Sequence, residues 1–352
     1  MLMLNSKLRV AIIGSTGYGG VELIRLLLQH PNVNITSVIS SSQAGTPIAD
    51  AYPHLCEIVV DTLDGVDIEL IRSKADVVFA ATPNGVSSGL VPQLLDAGLK
   101  VIDLSGDFRL KSSDAYERWY KHEPAQASYV ERAVYGLSEI YAEEVRGASF
   151  VSNPGCYATA ASLGLIPIVA AEWIDPNSII IDAKSGVSGA GRGLSMGVHF
   201  SETNENFKAY KVNSHQHTPE IEQTLSQQSG KDIKVTFTPH LVPMTRGIMC
   251  TMYGTLIESV SNDDLIDLYR RFYDGRPFVR IRDEGKLPTT KEVWGSNYVD
   301  MGFSIDNRTG RVTIITVEDN LVKGAAGQAI QNLNLMMGWD ESVGLLMAPV
   351  YP

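Results

Sequence analysis

The sequence predicts an α/β fold: a doubly wound parallel sheet in the first half, then a second, mixed-sheet α+β domain. Three observations carry this expectation. Short apolar runs alternate with helical spacing as far as Ser152, the βαβ rhythm of a parallel sheet covered on both faces. From Ile179 onward, strand-like runs follow one another closely and are joined by tight turns. At 352 residues the chain is also too long for one small core, so two domains are the default.

Leu8–Ile13, Ile35–Ser40, Ala75–Ala81, Lys100–Leu104 and Ser149–Ser152 read as the buried parallel strands. Between them, Gly19–Leu28 and Val86–Ala97 carry apolar residues at helical spacing. In the second half the strands are Ile179–Ala183, Lys234–Phe237, Gly247–Leu256, Phe278–Arg282, Met301–Ile305 and Val312–Val317. Asp306–Gly310, reading DNRTG, is a hairpin signal between the last two. A final helix begins near Lys323 and runs through Gln328, Gln331 and Leu335. No repeat interrupts the pattern, and the domain boundary falls near Ser152–Cys156 as a direct passage from strand to helix.

Composition narrows the classes of function. Hydrophobic residues at 44% and charged residues at 20% are ordinary for a globular chain, which at this length needs no disulfide or metal to complete its core. The 29 basic and 40 acidic side chains leave a net charge of −11, which argues against nonspecific nucleic-acid binding but permits a local basic pocket. Cys56, Cys156 and Cys250 are odd in number and form neither a CxxC pair nor a zinc pattern, so a reducing, cytoplasmic setting is expected. The N-terminus, MLMLNSKLRVAIIG, lacks a secretory pattern because its apolar run becomes a glycine turn. No apolar stretch is long enough to span a bilayer, so no membrane partner is expected.

The first motif is Gly14-Ser15-Thr16-Gly17-Tyr18-Gly19-Gly20, between a strand and a helix. Glycines there let the backbone approach a pyrophosphate, whose charge is favoured by the helix N-terminus. The plain alternative is a tight turn with no ligand; the βαβ context favours a Rossmann-type dinucleotide site. The second strand ends in Ser40-Ser41-Ser42-Gln43-Ala44-Gly45, where an NAD-specific site normally has an acid for the ribose 2′-hydroxyl. Hydroxyls and backbone donors suit a 2′-phosphate, so NADP(H) is the expected cofactor.

The second motif is Ser152-Asn153-Pro154-Gly155-Cys156-Tyr157-Ala158, which sets a cysteine where an extended run becomes a helix. Backbone N–H groups and the helix dipole there stabilise a thiolate and can hold an oxyanion. Cys56 and Cys250 read instead as small buried apolar residues. A thiolate needs a proton partner, and Ser214-His215-Gln216-His217-Thr218-Pro219-Glu220 is the dense histidine cluster. His217 directly precedes a helix start and is preferred, with His215 two residues away on the same extended face. Surface or capping histidines are the plain alternative. A metal is not expected, since no third and fourth ligands suggest themselves. His240, in Thr238-Pro239-His240, is a second candidate, though a loop position is its plainer reading.

Assembled, these parts resemble the N-acetyl-gamma-glutamyl-phosphate reductases over nearly the whole chain. The segments that carry the likeness are Gly14–Gly20 with Glu22-Leu23, Asp103–Leu110, Ser152–Ala160, Ser185–Arg192, Asn204–Phe207 with Tyr210, His215–Ile221 and Asn320–Ala329. The resemblance implies a cofactor domain of residues 1–153 with 320–352, a catalytic and oligomerisation domain of 154–319, and a homodimer or homotetramer. It implies NADPH-dependent reduction of N-acetyl-glutamyl 5-phosphate to the semialdehyde with release of phosphate, in arginine biosynthesis, through a thioester on Cys156. His217 is then the acid–base. Arg109, Arg192, Asn153, Tyr210 and His215 bind substrate, although either arginine serves equally well as a structural ion pair. Gly14, Ser15, Thr16, Gly17, Tyr18, Gly19, Ser40, Ser41, Ser188, Gly189 and Asn320 bind cofactor, with capping of the last helix as the alternative for Asn320.

Two rivals share this chemistry: aspartate-semialdehyde dehydrogenase and the carrier-linked aminoadipyl-phosphate reductase. A non-catalytic NADPH-sensing regulator is the rival of another class. The histidine segment and Asn320–Ala329 favour the acetylglutamyl enzyme, and an intact Cys156 and His217 speak against the regulator.

Overall fold

The computed structural model describes residues 7–352; residues 1–6, the start of the segment read as lacking a secretory pattern, lie outside the described residues. The chain forms two compact units. One holds the described residues up to Pro154 together with Ala325–Leu346, the other Gly155–Gly324 with Met347–Pro352.

The first unit opens with β1 (Leu8–Ile13), α1 (Tyr18–Leu27), β2 (Val33–Ile39), a single turn α2 (Ile48–Ala51) and α3 (Ile68–Lys74). It continues through β3 (Val77–Ala80), α4 (Ser87–Asp96) and β4 (Lys100–Asp103). Then come α5 (Ser113–Tyr120), α6 (Ala127–Arg132), β5 (Val134–Tyr135), α7 (Ser138–Val145) and β6 (Phe150–Ser152). The sheet order is β2-β1-β3-β4-β6-β5, and every pairing is parallel. Val10–Ile12 and Val77–Ala80 are fully buried, as unbroken apolar runs in a sheet covered on both faces should be. The order reverses between β1 and β3, the place where such sheets open a crevice at their carboxyl ends. Helices α5–α7 and the two-residue β5 were not expected. α5 buries only Tyr116 and Tyr120, a stacked pair too sparse to show as periodicity.

The second unit begins with α8 (Cys156–Ala170), followed by β7 (Ile180–Gly186), a short α9 (Phe200–Thr203), β8 (Lys208–Ala209) and α10 (Thr218–Ser229). Next come β9 (Thr236–Val242), β10 (Ile248–Thr255), α11 (Asn262–Phe272), β11 (Val279–Ile281), β12 (Val299–Asp306) and β13 (Arg311–Glu318). A π-helical turn, Val322–Ala326, leads into α12 (Gly327–Met336) in the first unit. The sheet is mixed, with order β11-β12-β13-β10-β7-β9-β8. Asp306 pairs with Arg311 across the DNRTG turn, as the hairpin signal predicts.

α8 is apolar on every side and buried along Tyr157–Val169, which makes it a core helix. Pro167 has no N–H for the Leu163 carbonyl, and the hydroxyl of Tyr273, just past α11, donates to that carbonyl instead at 2.6 Å. Tyr269 does the same for Gly164. A side chain at Gly164 would lie 2.3 Å from Met252 Cε of β10, so the glycine sets how closely α8 meets the sheet.

Three sequence readings are corrected here. His240 is not in a loop but in β9, which runs Thr236–Val242 and not Lys234–Phe237. A proline in a strand keeps its acceptor, and the Pro239 carbonyl receives Tyr210 N–H at 3.1 Å. Cys56 is exposed at the end of a 3₁₀ turn, not buried. Cys250 is buried, as expected.

Candidate active site

Cys156 is the first residue of α8, with the extended Gly155 as N-cap. The first-turn N–H groups of a helix have no intrahelical acceptor, so they and the dipole favour negative charge there. Gly155 N–H donates to Glu220 Oε1 at 2.8 Å. Glu220 is fully buried in the first turn of α10 and pins the entry to one helix against the start of the other. A Cβ on Gly155 would lie 2.3 Å from His217 Nε2, so this position must be glycine for the imidazole to reach the residue beside Cys156. Gly324 makes a second close approach: its Cβ would stand 2.7 Å from Cys156 Cβ.

The two histidines of the cluster have different surroundings. His215 Nδ1 accepts the His217 backbone N–H at 3.1 Å, which leaves the proton of a neutral ring on Nε2. That nitrogen faces Tyr210 Oη at 3.4 Å; Tyr210 donates to Tyr157 Oη at 3.5 Å, and Tyr157 to the His240 carbonyl at 3.1 Å. Burial, aided by His217 and Lys211, drives the His215 pKa down to about 2, so the ring stays neutral at any ordinary pH. Burial likewise pushes the Tyr157 and Tyr210 hydroxyls well up. His215 thus belongs to an uncharged aromatic cluster with Tyr157, Tyr210 and Phe237, and holds the His217 backbone in place. The His217 ring lies 4.7 Å from it and turns toward Gly155.

Elsewhere in this unit, Asn320 Nδ2 donates to Ser188 Oγ at 3.0 Å and its Oδ1 accepts Gly247 N–H at 2.8 Å. Asn320 therefore does not cap the last helix, whose N-cap is Ala326. Gly189 sits beside it, its would-be Cβ 3.7 Å from Asn320 Nδ2. Arg192 is exposed just beyond.

In the first unit, the glycine turn has the geometry of a phosphate cradle. Gly14 has φ +82°, and a Cβ there would lie 2.2 Å from the Ala81 carbonyl; at Gly20 one would lie 2.3 Å from the Gly14 carbonyl. Gly17 is the N-cap of α1 and offers no side chain of its own to the first-turn N–H groups. These residues fit a dinucleotide pyrophosphate. The Ser15 hydroxyl accepts Ile39 N–H at 2.7 Å, tying the turn to β2, while Thr16 Oγ1 meets Ser40 Oγ at 3.3 Å. Tyr18 opens α1, Gly19 has open space at its missing Cβ, and Ser41 is exposed. Arg109 is buried, with Nε on the Asn153 carbonyl and Nη2 on the Leu104 carbonyl, each at 2.8 Å. Asn153 accepts from Asn332 at 3.0 Å and donates to the Ala325 carbonyl at 3.1 Å.

Two residues were missed as parts of the site. Glu220 was read only as part of the histidine segment. Glu318 was passed over, although an acid that prolongs the apolar run Val312–Val317 is itself a signal.

The chain is similar to known proteins in both sequence and fold. Residues 9–148 match the family described as semialdehyde dehydrogenase, NAD binding domain, and residues 156–320 match semialdehyde dehydrogenase, dimerisation domain. A protein of Geobacillus sp. (strain WCH70) named N-acetyl-gamma-glutamyl-phosphate reductase is 56% identical over 98% of this chain and 100% of its own. The chain belongs to the N-acetyl-gamma-glutamyl-phosphate reductase family. Members from Brevibacillus brevis and Bacillus subtilis, of the same name, are 55% and 51% identical over 98% of the chain and 99% and 100% of their own lengths. Among solved structures, aspartate semialdehyde dehydrogenase II from Vibrio cholerae superimposes with a TM-score of 0.72 at 18% identity, covering 94% of this chain and 98% of that one. The Candida albicans enzyme, solved with NADP, gives 0.70 at 17%, covering 94% and 99%. At these identities the likeness is one of fold. Among the described residues, no helix is long and apolar enough to cross a membrane.

Proposed function

We propose that this family member reduces N-acetyl-L-glutamyl 5-phosphate to N-acetyl-L-glutamate 5-semialdehyde, with NADPH as reductant and inorganic phosphate as second product. Family membership at 51–56% identity over 98% of the chain carries the choice of substrate. A cysteine at a helix start with an imidazole against the preceding glycine carries the chemistry. The reading assigns cofactor binding to residues 1–153 with 320–352 and catalysis and oligomerisation to 154–319, in a cytoplasmic homodimer or homotetramer. The family description of 156–320 as a dimerisation domain supports the assembly.

Cys156 thiolate attacks the acyl carbonyl; the carbon–oxygen bond to phosphate breaks and phosphate leaves with the electron pair, giving a thioester. The α8 N-terminus and His217 favour the thiolate, and His217 takes the thiol proton. The Gly14–Gly19 turn with Ser40 and Ser41 would hold NADPH, which would supply a hydride to the thioester carbonyl. The thiohemiacetal that results on Cys156 collapses to the aldehyde, returning the thiolate, while His217 moves the proton on the oxygen. First-turn N–H groups of α8 stabilise the oxyanion in both halves. Arg109, Arg192, Asn153, Tyr210 and His215 complete the substrate side of the reading, and Ser188, Gly189 and Asn320 its cofactor side.

The test is phosphate-dependent reduction of NADP, followed by absorbance, with N-acetyl-glutamate semialdehyde, aspartate semialdehyde and carrier-linked aminoadipate semialdehyde compared. Preferred turnover of the first supports the reading. Preferred turnover of either other aldehyde, or none with all three, overturns it.

A further inference from the structure

Glu318 ends β13 with a fully buried side chain, in register between Ile248 of β10 and Val299 of β12. Both neighbours are apolar and fully buried, so the strand delivers an ionisable group into the interior. The π-helical turn then brings Gly324 back onto it. A Cβ at Gly324 would lie 2.8 Å from Glu318 Oε1 and 2.7 Å from Cys156 Cβ. The carboxyl and the start of α8 thus both border the space that Gly324 leaves by lacking a side chain.

We propose that Glu318 is a positioning residue for the Cys156 thiol: its carboxylate opposes thiolate formation and so sets the pH at which Cys156 becomes reactive. Two negative charges in one low-dielectric site repel, and the less acidic group holds its proton to higher pH. Cys250 reports the same neighbourhood from β10: burial first, then Glu318, then Cys156, push its thiol well up. The surrounding elements carry other charged or titratable groups. These are Lys323 on the π turn, with Nζ 5.7 Å over the Phe278 ring, Asp319 with Arg246, Tyr157 on α8 with Tyr210, His217 before α10, Glu220 in its first turn with Oε1 on the Gly155 N–H, and Lys184 on β7. The α8 N-terminus and His217 favour the thiolate, and Glu318 acts against them. The resting cysteine is thereby kept as thiol until its proton passes to His217, whose imidazolium offsets the carboxylate. The inference rests on Cys156 as the nucleophile.

Glu318→Gln keeps the shape and removes the charge. Iodoacetamide labelling of Cys156, read on its own peptide by mass spectrometry from pH 5 to 10, should then have a midpoint about one pH unit lower and a rate at pH 6 about tenfold higher. Glu318→Asp keeps the charge but withdraws it by one methylene. Its midpoint should fall between the other two, which keeps the comparison readable if the Gln variant destabilises the sheet. Labelling needs neither substrate nor cofactor, so its outcome is separate from that of the semialdehyde assay. A midpoint unchanged or raised in either folded variant overturns the proposal.

Discussion

The three thiols of this chain differ by environment. Cys156 begins a helix, Cys56 is exposed on a turn, and Cys250 is buried with its thiol pushed up. Alkylation should therefore run Cys156 first, Cys56 next and Cys250 last. Cys156→Ser should fold and bind NADPH but lose acyl-phosphate reduction, because an alkoxide is far harder to form than a thiolate; near-normal turnover of that variant would end the thioester mechanism. The histidines separate on the same kind of ground. His217→Asn should cut turnover by about 10²–10⁴-fold and remove the acidic limb of the pH–rate profile. His215→Asn should keep that limb, since a ring with a pKa of about 2 has no proton to lose in the working range. An intact limb in His217→Asn with a lost one in His215→Asn would transfer the role to His215. The glycine turn, the cysteine at its helix start and the histidine cluster were all legible in sequence. The environments that tell His215 from His217, and Cys56 from Cys250, were not, because Tyr157, Phe237 and Gly155 are remote in the chain from the histidines they surround.

At the scale of elements, two turns carry predictions. Gly155 joins β6 to α8 and leaves room for His217 Nε2, which a Cβ would approach to 2.3 Å. Gly155→Ala has acceptable backbone angles there, φ −74° and ψ 149°, so the chain should still fold. Turnover should nevertheless drop at least tenfold as the imidazole is displaced, a modest part of the usual worth of acid–base catalysis. Steady-state kinetics with a circular-dichroism check decides it, and unchanged kcat would mean that the ring does not work from this position. The turn after β2 is the one the proposed function gives the choice of cofactor. Ser41 is exposed, next to the Ser40 that meets Thr16. Ser41→Asp should shift binding from NADPH toward NADH, because the carboxylate repels a 2′-phosphate and accepts from a 2′-hydroxyl. Fluorescence titration with both cofactors reads it, and an unchanged ratio would remove this turn from the selection.

For the whole molecule, two buried groups pull acid stability in opposite directions. Folded His215 takes up no proton between pH 7 and 5, whereas the unfolded imidazole does below its ordinary 6.5. Its contribution is complete above that value and is lost as pH falls, by about 2 kcal/mol at pH 5. Asp103, fully buried between the Ser87 and Ser105 hydroxyls, has its carboxyl raised by burial to about 6. It binds a proton when folded before the unfolded carboxyl does, which returns about 1.4 kcal/mol to the folded state by pH 5. The two nearly cancel, so the unmodified protein should change little from this pair. Urea titrations at pH 7 and 5 should show His215→Asn losing about 2 kcal/mol less than wild type, and Asp103→Asn about 1.4 kcal/mol more. Equal losses in all three proteins would show that neither group titrates as described.

The sequence by itself determined what depends on neighbours along the chain. Unbroken apolar runs predicted strands covered on both faces, DNRTG predicted its hairpin, and glycine at positions 14 and 20 marked a turn where no Cβ fits. Only the tertiary structure decided what depends on groups far apart in sequence. It set Glu220 on Gly155, turned Arg109 onto the Asn153 carbonyl, placed His240 in a strand, and brought Glu318 against Cys156 through the missing side chain of Gly324. Local pattern records the period at which side chains change face. It carries no record of which distant side chain fills the space opposite, and that is what sets the charge and the reactivity of the group that finds itself there.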